Sequence, residues 1–228
     1  MVNTIHQVFF KFKNGKELND IPIFKQQVEK TKHYCLKYNI NYKLWDETDC
    51  NELIDKYPQY KQLYQEFRYE IQKVDFIRYL ILYHCGGIYI DCDICPIGDV
   101  FELFEMDIFF VRWNNDKKQL PYNDVIGAKQ NNDIFIKIFN EIIKSVKQKN
   151  KIQIYETWKG RYVFQTTGHH MLQRVLKHYP DINKLDILKI HQKGGIEIVS
   201  DVCPIFEDYN ASIWYNDSPN NLLSSQKV

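Results

Sequence analysis

Two adjacent glycines, Gly86 and Gly87, separate a long apolar-striped segment from a short strand-like run that ends in two carboxylates. No other stretch constrains the fold as much. Upstream, Phe67, Ile71, Val74, Ile77, Ile81 and Cys85 recur at intervals of three and four, which predicts a helix over 64–85. Glycine accepts the left-handed backbone past a helix C-terminus, so the helix is expected to stop at this pair. Ile88-Tyr89-Ile90 then reads as a strand, followed at once by Asp91-Cys92-Asp93 and Pro96. Residues two apart on a strand point to the same side, so both carboxylates can turn toward one point beyond the strand end. Such a pair repels itself unless a cation or a shared proton relieves it. A hard divalent ion that also holds phosphate oxygens suits it. An ordinary strand-end turn uses the same residues, so the pair alone leaves both readings open.

The 228 residues fit one domain, with 44% hydrophobic and 26% charged residues as in a soluble globular protein. A net charge of +1 gives no electrostatic case for a nucleic-acid partner. No apolar run approaches the roughly 20 residues a membrane span needs. Met1–His6 lacks a signal-peptide pattern, so a cytoplasmic location with reduced thiols is expected for the six cysteines. Cys92-x-x-Cys95 has no second half at zinc-site spacing. Aromatic residues reach 15%, which suits both core packing and stacking on sugar-like surfaces.

Strands are expected at 4–10, 42–45, 107–113, 123–128, 185–190 and 196–199, with helices at 23–38, 50–57 and 134–146 and another opening at Thr166-Thr167-Gly168. Phe24, Val28, Cys35 and Leu36 are the expected inner face of the first helix. The basic segment 147–161 reads as hairpin or loop, and the chain from Tyr209 as a polar tail. His6 reads as a buried core histidine, and the His169-His170 pair as surface or capping residues. Alternating strands and helices give an α/β class around a central mixed sheet. Residues 1–215 are assigned to the domain and 216–228 to the tail. Asp75 and Arg78 stand three apart on the central helix, hence on one face, either as a surface ion pair or as an anchor for a ligand's hydroxyls and phosphates.

Lys73-Val74-Asp75, Arg78-Tyr79, Leu82-Tyr83, Gly86-Gly87, Tyr89 and Asp91-Cys92-Asp93 together resemble the signature of glycosyltransferase family 32. That family includes fungal α-1,6-mannosyltransferases and shares its core with the large clostridial glucosylating toxins. Val74 stands where the family usually has a smaller residue. Ile5-His6-Gln7-Val8-Phe9 resembles the family's opening strand, with Phe9 in place of a Trp. Asn123–Ala128 is similar to a later strand whose Asn faces the donor sugar. Thr167-Gly168 matches a Thr-Gly-Pro element with His169 replacing Pro, and Ser212-Ile213-Trp214 resembles a late Ser-x-Trp.

The resemblance implies a GT-A fold and a metal-dependent, configuration-retaining transfer of a hexose from a nucleotide-sugar to a glycan or protein-linked hydroxyl acceptor. Mn²⁺ or Mg²⁺ would sit on Asp93, with Asp91 shared between metal and sugar. Asp91, Asp93 and Asn123 are the implied catalytic residues. Val8, Phe9, Asp75, Arg78, Tyr79, Asp91, Gly168, Ser212 and Trp214 are the implied donor-binding residues. The Ser212–Trp214 likeness favours UDP over GDP. Acceptor contacts are expected in 114–122, 147–162 and the tail. Two other readings use the same residues: a nucleotide-sugar-binding protein with weak turnover, and a haloacid-dehalogenase-type phosphatase with Asp91 as nucleophile. The phosphatase pattern wants Thr or Val where Cys95 stands and places its strand first in the chain, against the ninety or so residues that precede Asp91 here.

Overall fold

The computed structural model describes residues 3–11, 16–112, 121–148, 159–179, 182–185, 188–191, 197–198 and 205–209. The chain opens with β1 (Thr4–Val8), crosses through α1 (Pro22–Lys37), and returns as β2 (Asn41–Trp45) parallel to β1. Asp46 then caps α2 (Glu47–Asp55) by accepting from the Asp49 amide. Pro58 opens a separate helix, α3 (Pro58–Gln65), at its first turn, where a missing N–H is harmless.

The predicted helix over 64–85 is therefore two pieces. Only α4 (Glu70–Cys85) is the central helix, and Phe67 lies in the turn before it. Eleven residues of α4 between Ile71 and Leu82 are buried. A helix enclosed on nearly all sides belongs in the middle of a domain, not on its surface.

At Gly86 and Gly87 the backbone takes φ +68° and +97°, and β3 (Gly87–Ile90) begins immediately. Gly87 also meets β1 closely. A Cβ there would lie 2.5 Å from the Thr4 carbonyl oxygen and 3.0 Å from the His6 ring. Beyond β3 come β4 (Ile94–Pro96), α5 (Phe101–Glu105), β5 (Ile108–Arg112), β6 (Pro121–Ala128) and α6 (Ile134–Lys147). Two short helices, α7 (Lys159–Thr166) and α8 (His169–Leu176), meet at a corner, and β7 (Asn183–Leu185), β8 (Leu188–His191), β9 (Glu197–Ile198) and β10 (Phe206–Asp208) follow.

Six strands form a mixed sheet in the order β2-β1-β3-β6-β5-β7, in which β6 runs antiparallel to both its neighbours. This is the expected α/β architecture around a central mixed sheet. Alternate residues feed its two faces, as a pleated strand requires. Tyr89, Phe110 and Ile126 enter the core under α4, α6 and α8. Ile88, Ile90, Phe109, Val111 and Val125 enter the core on the other face, with Cys35, Leu103 and Phe206.

A second, four-stranded sheet in the order β4-β10-β8-β9 was not expected. Lys159–Thr166 is helical, which overturns the expected hairpin or loop over 159–161; residues 149–158 of that segment lie outside the described residues. In α1, Leu36 is 82% exposed, and the polar Gln27 and Thr31 share the inner face with Val28 and Cys35. Many of the aromatic rings fill the core around α4, with Tyr60, Tyr64, Phe67, Phe76 and Phe139 in mutual contact. Among the described residues, no helix is long and apolar enough to cross a membrane.

Candidate functional site

The site is built at the C-terminal ends of β1 and β3, neighbouring parallel strands. Open α/β sheets bind ligands at this edge. Gln7 has no exposed surface, and its amide spans the gap between the two strand ends. Its Nε2 donates to the carbonyl oxygens of Asp91 at 3.0 Å and Ile94 at 3.2 Å, while its Oε1 accepts from the Tyr42 hydroxyl at 2.8 Å. The turn carrying both acidic residues is thus pinned by a side chain 84 positions upstream. Cys92, between them, donates its thiol to the Val8 carbonyl at 3.2 Å. Asp93 is half-buried, and its carbonyl accepts from the Tyr209 amide at 3.2 Å.

Asp75 and Arg78 are not a surface pair. Their side chains are 7% and 4% exposed, and Nη2 of Arg78 lies 3.0 Å from Asp75 Oδ1. Asp75 is further held by Asn123 Nδ2 at 3.0 Å and by the Thr167 hydroxyl at 2.8 Å. Nη1 of Arg78 donates to the Asn123 carbonyl at 2.7 Å and lies 3.2 Å from Asp91 Oδ1. The guanidinium also sits 4.8 Å from the centre of the Tyr89 ring, in range of cation–π attraction. The Tyr89 hydroxyl donates to Asp91 Oδ1 at 2.6 Å. The result is a buried chain, Thr167–Asp75–Arg78–Asp91–Tyr89, with one cation between two anions.

Burial raises the Asp75 carboxyl to about 6 despite the opposing pull of Arg78 and Thr167. Burial also raises Asp91, against Arg78 and the Tyr89 hydroxyl. The Asp91 side chain keeps 27% of its surface, so its desolvation is partial and the upward push is weaker than full enclosure would give. Among the described residues, the buried Arg78 Nε has no hydrogen-bond partner.

The other expected site residues fall in different places. Val8 is buried at the end of β1, and Phe9 is half-exposed beside it, with its ring edge-on to Phe24 at 6.3 Å. Tyr79 has no exposed surface. Its hydroxyl reaches the Thr167 carbonyl at 3.5 Å, so it backs the site from within the core and does not face a ligand. Gly168 caps α8, where a Cβ would press on the Phe164 backbone at 3.1 Å. Ser212 and Trp214 lie outside the described residues. His6 is buried and satisfied: Trp45 Nε1 donates to its Nδ1 at 3.1 Å, and its Nε2 faces the Gly86 carbonyl at 3.0 Å. Cys95 contacts the Glu207 carboxylate at 3.8 Å.

Sequence reasoning missed the roles of Gln7, Thr167 and Tyr89. One signal was available: an amide inside the apolar run Ile5–Val8 must find partners when buried.

The donor set can be judged for a divalent ion. Oδ1 of Asp91 accepts from Tyr89 and lies 3.2 Å from Arg78, so Oδ2, whose one contact with Arg78 is 3.4 Å long, is the oxygen with acceptor capacity to spare. Among the described residues, no three His, Cys, Asp or Glu side chains converge as a metal cage. Mg²⁺-type sites commonly use only one or two carboxylates plus waters and phosphate oxygens. Asp93 with Asp91 nearby fits that pattern and does not fit a metal held by protein alone.

Residues 19–109 match the family described as "Glycosyltransferase sugar-binding region containing DXD motif". The chain is 31% identical over 145 residues to a glycosyltransferase of Acanthamoeba polyphaga mimivirus described as uncharacterized, covering 61% of this chain and 55% of that protein. It is 31% identical over 183 residues to a mannosyl phosphorylinositol ceramide synthase of Saccharomyces cerevisiae, covering 77% of this chain and 42% of that protein. The chain thus spans about half the length of the curated relatives it matches. The solved PaToxG glycosyltransferase superposes with a TM-score of 0.49 at 18% identity, over 78% of this chain and 69% of that one. The matched family region holds Asp75, Arg78, Asp91 and Asp93. Gln7, Asn123 and Thr167, which fix their geometry, lie outside it.

Proposed function

We propose, from the match of residues 19–109 to the DXD-containing glycosyltransferase family, that the protein moves a hexose from a nucleoside-diphosphate sugar to a hydroxyl acceptor, with retention of configuration and with Mn²⁺ or Mg²⁺ bound at Asp93. The observation that carries the reading is the buried Arg78, held between Asp75 at 3.0 Å and Asp91 at 3.2 Å at the strand edge where ligands of such sheets bind. A ribose or sugar hydroxyl is recognised by fixed carboxylates, and this chain fixes two. Asp91 orients donor hydroxyls. Asp75, Asn123 and Arg78 hold one another as the floor beneath the sugar, and Val8 and Phe9 flank the base. A bound divalent ion supplies neutralisation of the charge that develops on the departing diphosphate.

The curated relatives include inositol phosphoceramide mannosyltransferases of Schizosaccharomyces pombe, which favours mannose as the hexose. The preference for UDP over GDP rests on the likeness at Ser212 and Trp214 alone. Incubation with UDP- and GDP-hexoses, with and without Mn²⁺, tests the whole reading. Slow metal-dependent donor hydrolysis is expected, and Asp93→Asn should abolish it while the far-UV CD spectrum and Tm hold. An Asn variant that keeps most of the hydrolysis sinks the metal assignment. Tight nucleotide-sugar binding without turnover in the native protein supports a binding protein instead, and phosphate release from monoesters supports a phosphatase.

A further inference from the structure

Four rings crowd the corner between α7 and α8. The His169 ring centre lies 4.3 Å from Phe164, 4.4 Å from His170 and 4.9 Å from Tyr122 of β6. All four side chains are half-buried, so each keeps part of its surface open. Among the described residues, no side chain or backbone group bonds either ring nitrogen of His169. The ring is also uncharged at neutral pH, since burial, aided by His170, lowers its pKa to about 3.

The corner is tied on every side. Arg174 donates to the Gln165 carbonyl at 2.7 Å, to the Gln165 side chain at 2.8 Å and to the His170 carbonyl at 3.2 Å. Gln173 Nε2 joins α8 to β6 through the Pro121 carbonyl at 3.2 Å. Gln72 of α4 donates to Thr166 at 2.8 Å. Thr167, bonded to Asp75, precedes His169 by two positions, a separation that an extended chain limits to about 7 Å. An aromatic platform, braced by Arg174, therefore adjoins the charged Asp75–Arg78–Asp91 chain.

We infer that this platform is the subsite for a cyclic polyol acceptor, a pyranose or an inositol ring, with His169 as the residue that determines its fit. The inference rests on the transferase reading above. The apolar C–H face of such a ring stacks on aromatic surface, and its equatorial hydroxyls need donors and acceptors at the rim. A neutral imidazole supplies one of each. The carboxylates and guanidinium suit the polar donor, whereas the four rings suit the C–H face of a polyol, with the Arg174 cation, paired to Glu141, beside His170.

Saturation-transfer NMR with methyl α-mannopyranoside and with myo-inositol tests this. The companion measurement is the Mn²⁺-dependent thermal shift with UDP and GDP. The native protein should saturate the C–H protons of at least one polyol. His169→Ala should weaken that binding by on the order of tenfold and leave the nucleotide shift unchanged. His169→Leu, which fills the volume without a ring nitrogen, serves if the Ala variant does not fold. Pyranoside binding alone identifies a glycan acceptor, and inositol binding alone a cyclitol headgroup; either supports the subsite. The inference is overturned if neither polyol binds, if binding is unchanged in the variant, or if a nucleotide-sugar displaces the polyol. Polyol binding with no nucleotide response supports the subsite and counts against the transferase reading alone.

Discussion

Thr167 donates its hydroxyl to Asp75 at 2.8 Å across 92 positions of sequence. That bond satisfies the Asp75 oxygen that Asn123 and Arg78 leave open, since both of them approach Oδ1. A buried acceptor stripped of its donor loses about 1–3 kcal/mol of stability. Thr167→Val keeps the shape and removes the donor, so its urea midpoint should fall by that equivalent. Thr167→Ser keeps the hydroxyl and should recover most of it. A Val variant as stable as the native protein would mean Asp75 is satisfied by some other group.

Arg78 is the cation between two acids, and its loss leaves both carboxylates facing each other in a buried setting. Arg78→Ala should cost about 3–5 kcal/mol. Arg78→Lys should recover stability only in part, because an ammonium cannot span Asp75, Asp91 and the Asn123 carbonyl with the planar fork. Equilibrium denaturation of both variants checks the order. A Lys variant indistinguishable from native would remove the geometric argument and leave only the charge.

At Gly87 the backbone has φ +97°, and an added methyl would press on the Thr4 carbonyl at 2.5 Å. Gly87→Ala should lose at least about 1–2 kcal/mol from conformation alone. The larger effect comes from spreading β1 away from β3, which would also loosen the Gln7 clamp on the acidic turn. Nucleotide affinity should therefore fall together with Tm.

Acid should weaken the fold through His6. Burial lowers its pKa from 6.5 to about 4, and the Trp45 N–H already aimed at Nδ1 leaves no acceptor for a second ring proton. The unfolded chain thus binds the proton first as pH falls. The contribution of neutral His6 is complete above 6.5 and is lost progressively down to about 4, by ~3 kcal/mol at most. Asp75, raised to about 6, acts in the opposite direction over part of that range. The informative quantity is accordingly the difference between native protein and His6→Gln, measured by urea unfolding at several pH values from 7.5 to 4.5. A difference that does not change with pH would remove His6 from the account.

The helix–glycine–strand junction was legible because each step has a local cause: apolar spacing, a left-handed stop, a β-branched run. The boundary between α3 and α4 was less so, since Phe67 continues the apolar spacing of α4 although the chain turns before Tyr69. β4 and β10 are three residues each; they pair with each other over more than a hundred positions, and β10 pairs with β8 as well. No local pattern marks them. The same holds within the site. Asp75, Arg78, Asp91 and Asp93 sit in one contiguous motif, whereas Gln7 and Thr167 reach them from distant parts of the chain. Tyr89 was visible as a strand residue, but its hydroxyl bond to Asp91 depends on how the strand ends.

The partners of Asp75 lie 3, 48 and 92 positions further along the chain. A polypeptide emerging from a ribosome thus acquires the cation for its central acid at once, but the neutral donors that complete its hydrogen bonding only much later. Until Thr167 has emerged, α4 carries a carboxylate it cannot bury without penalty, and the core around it has reason to stay open. The distance in sequence between an acid and its last donor sets a minimum length for the nascent chain. Below that length Asp75 lacks one of its three partners, and closing the core over it costs more than in the finished chain.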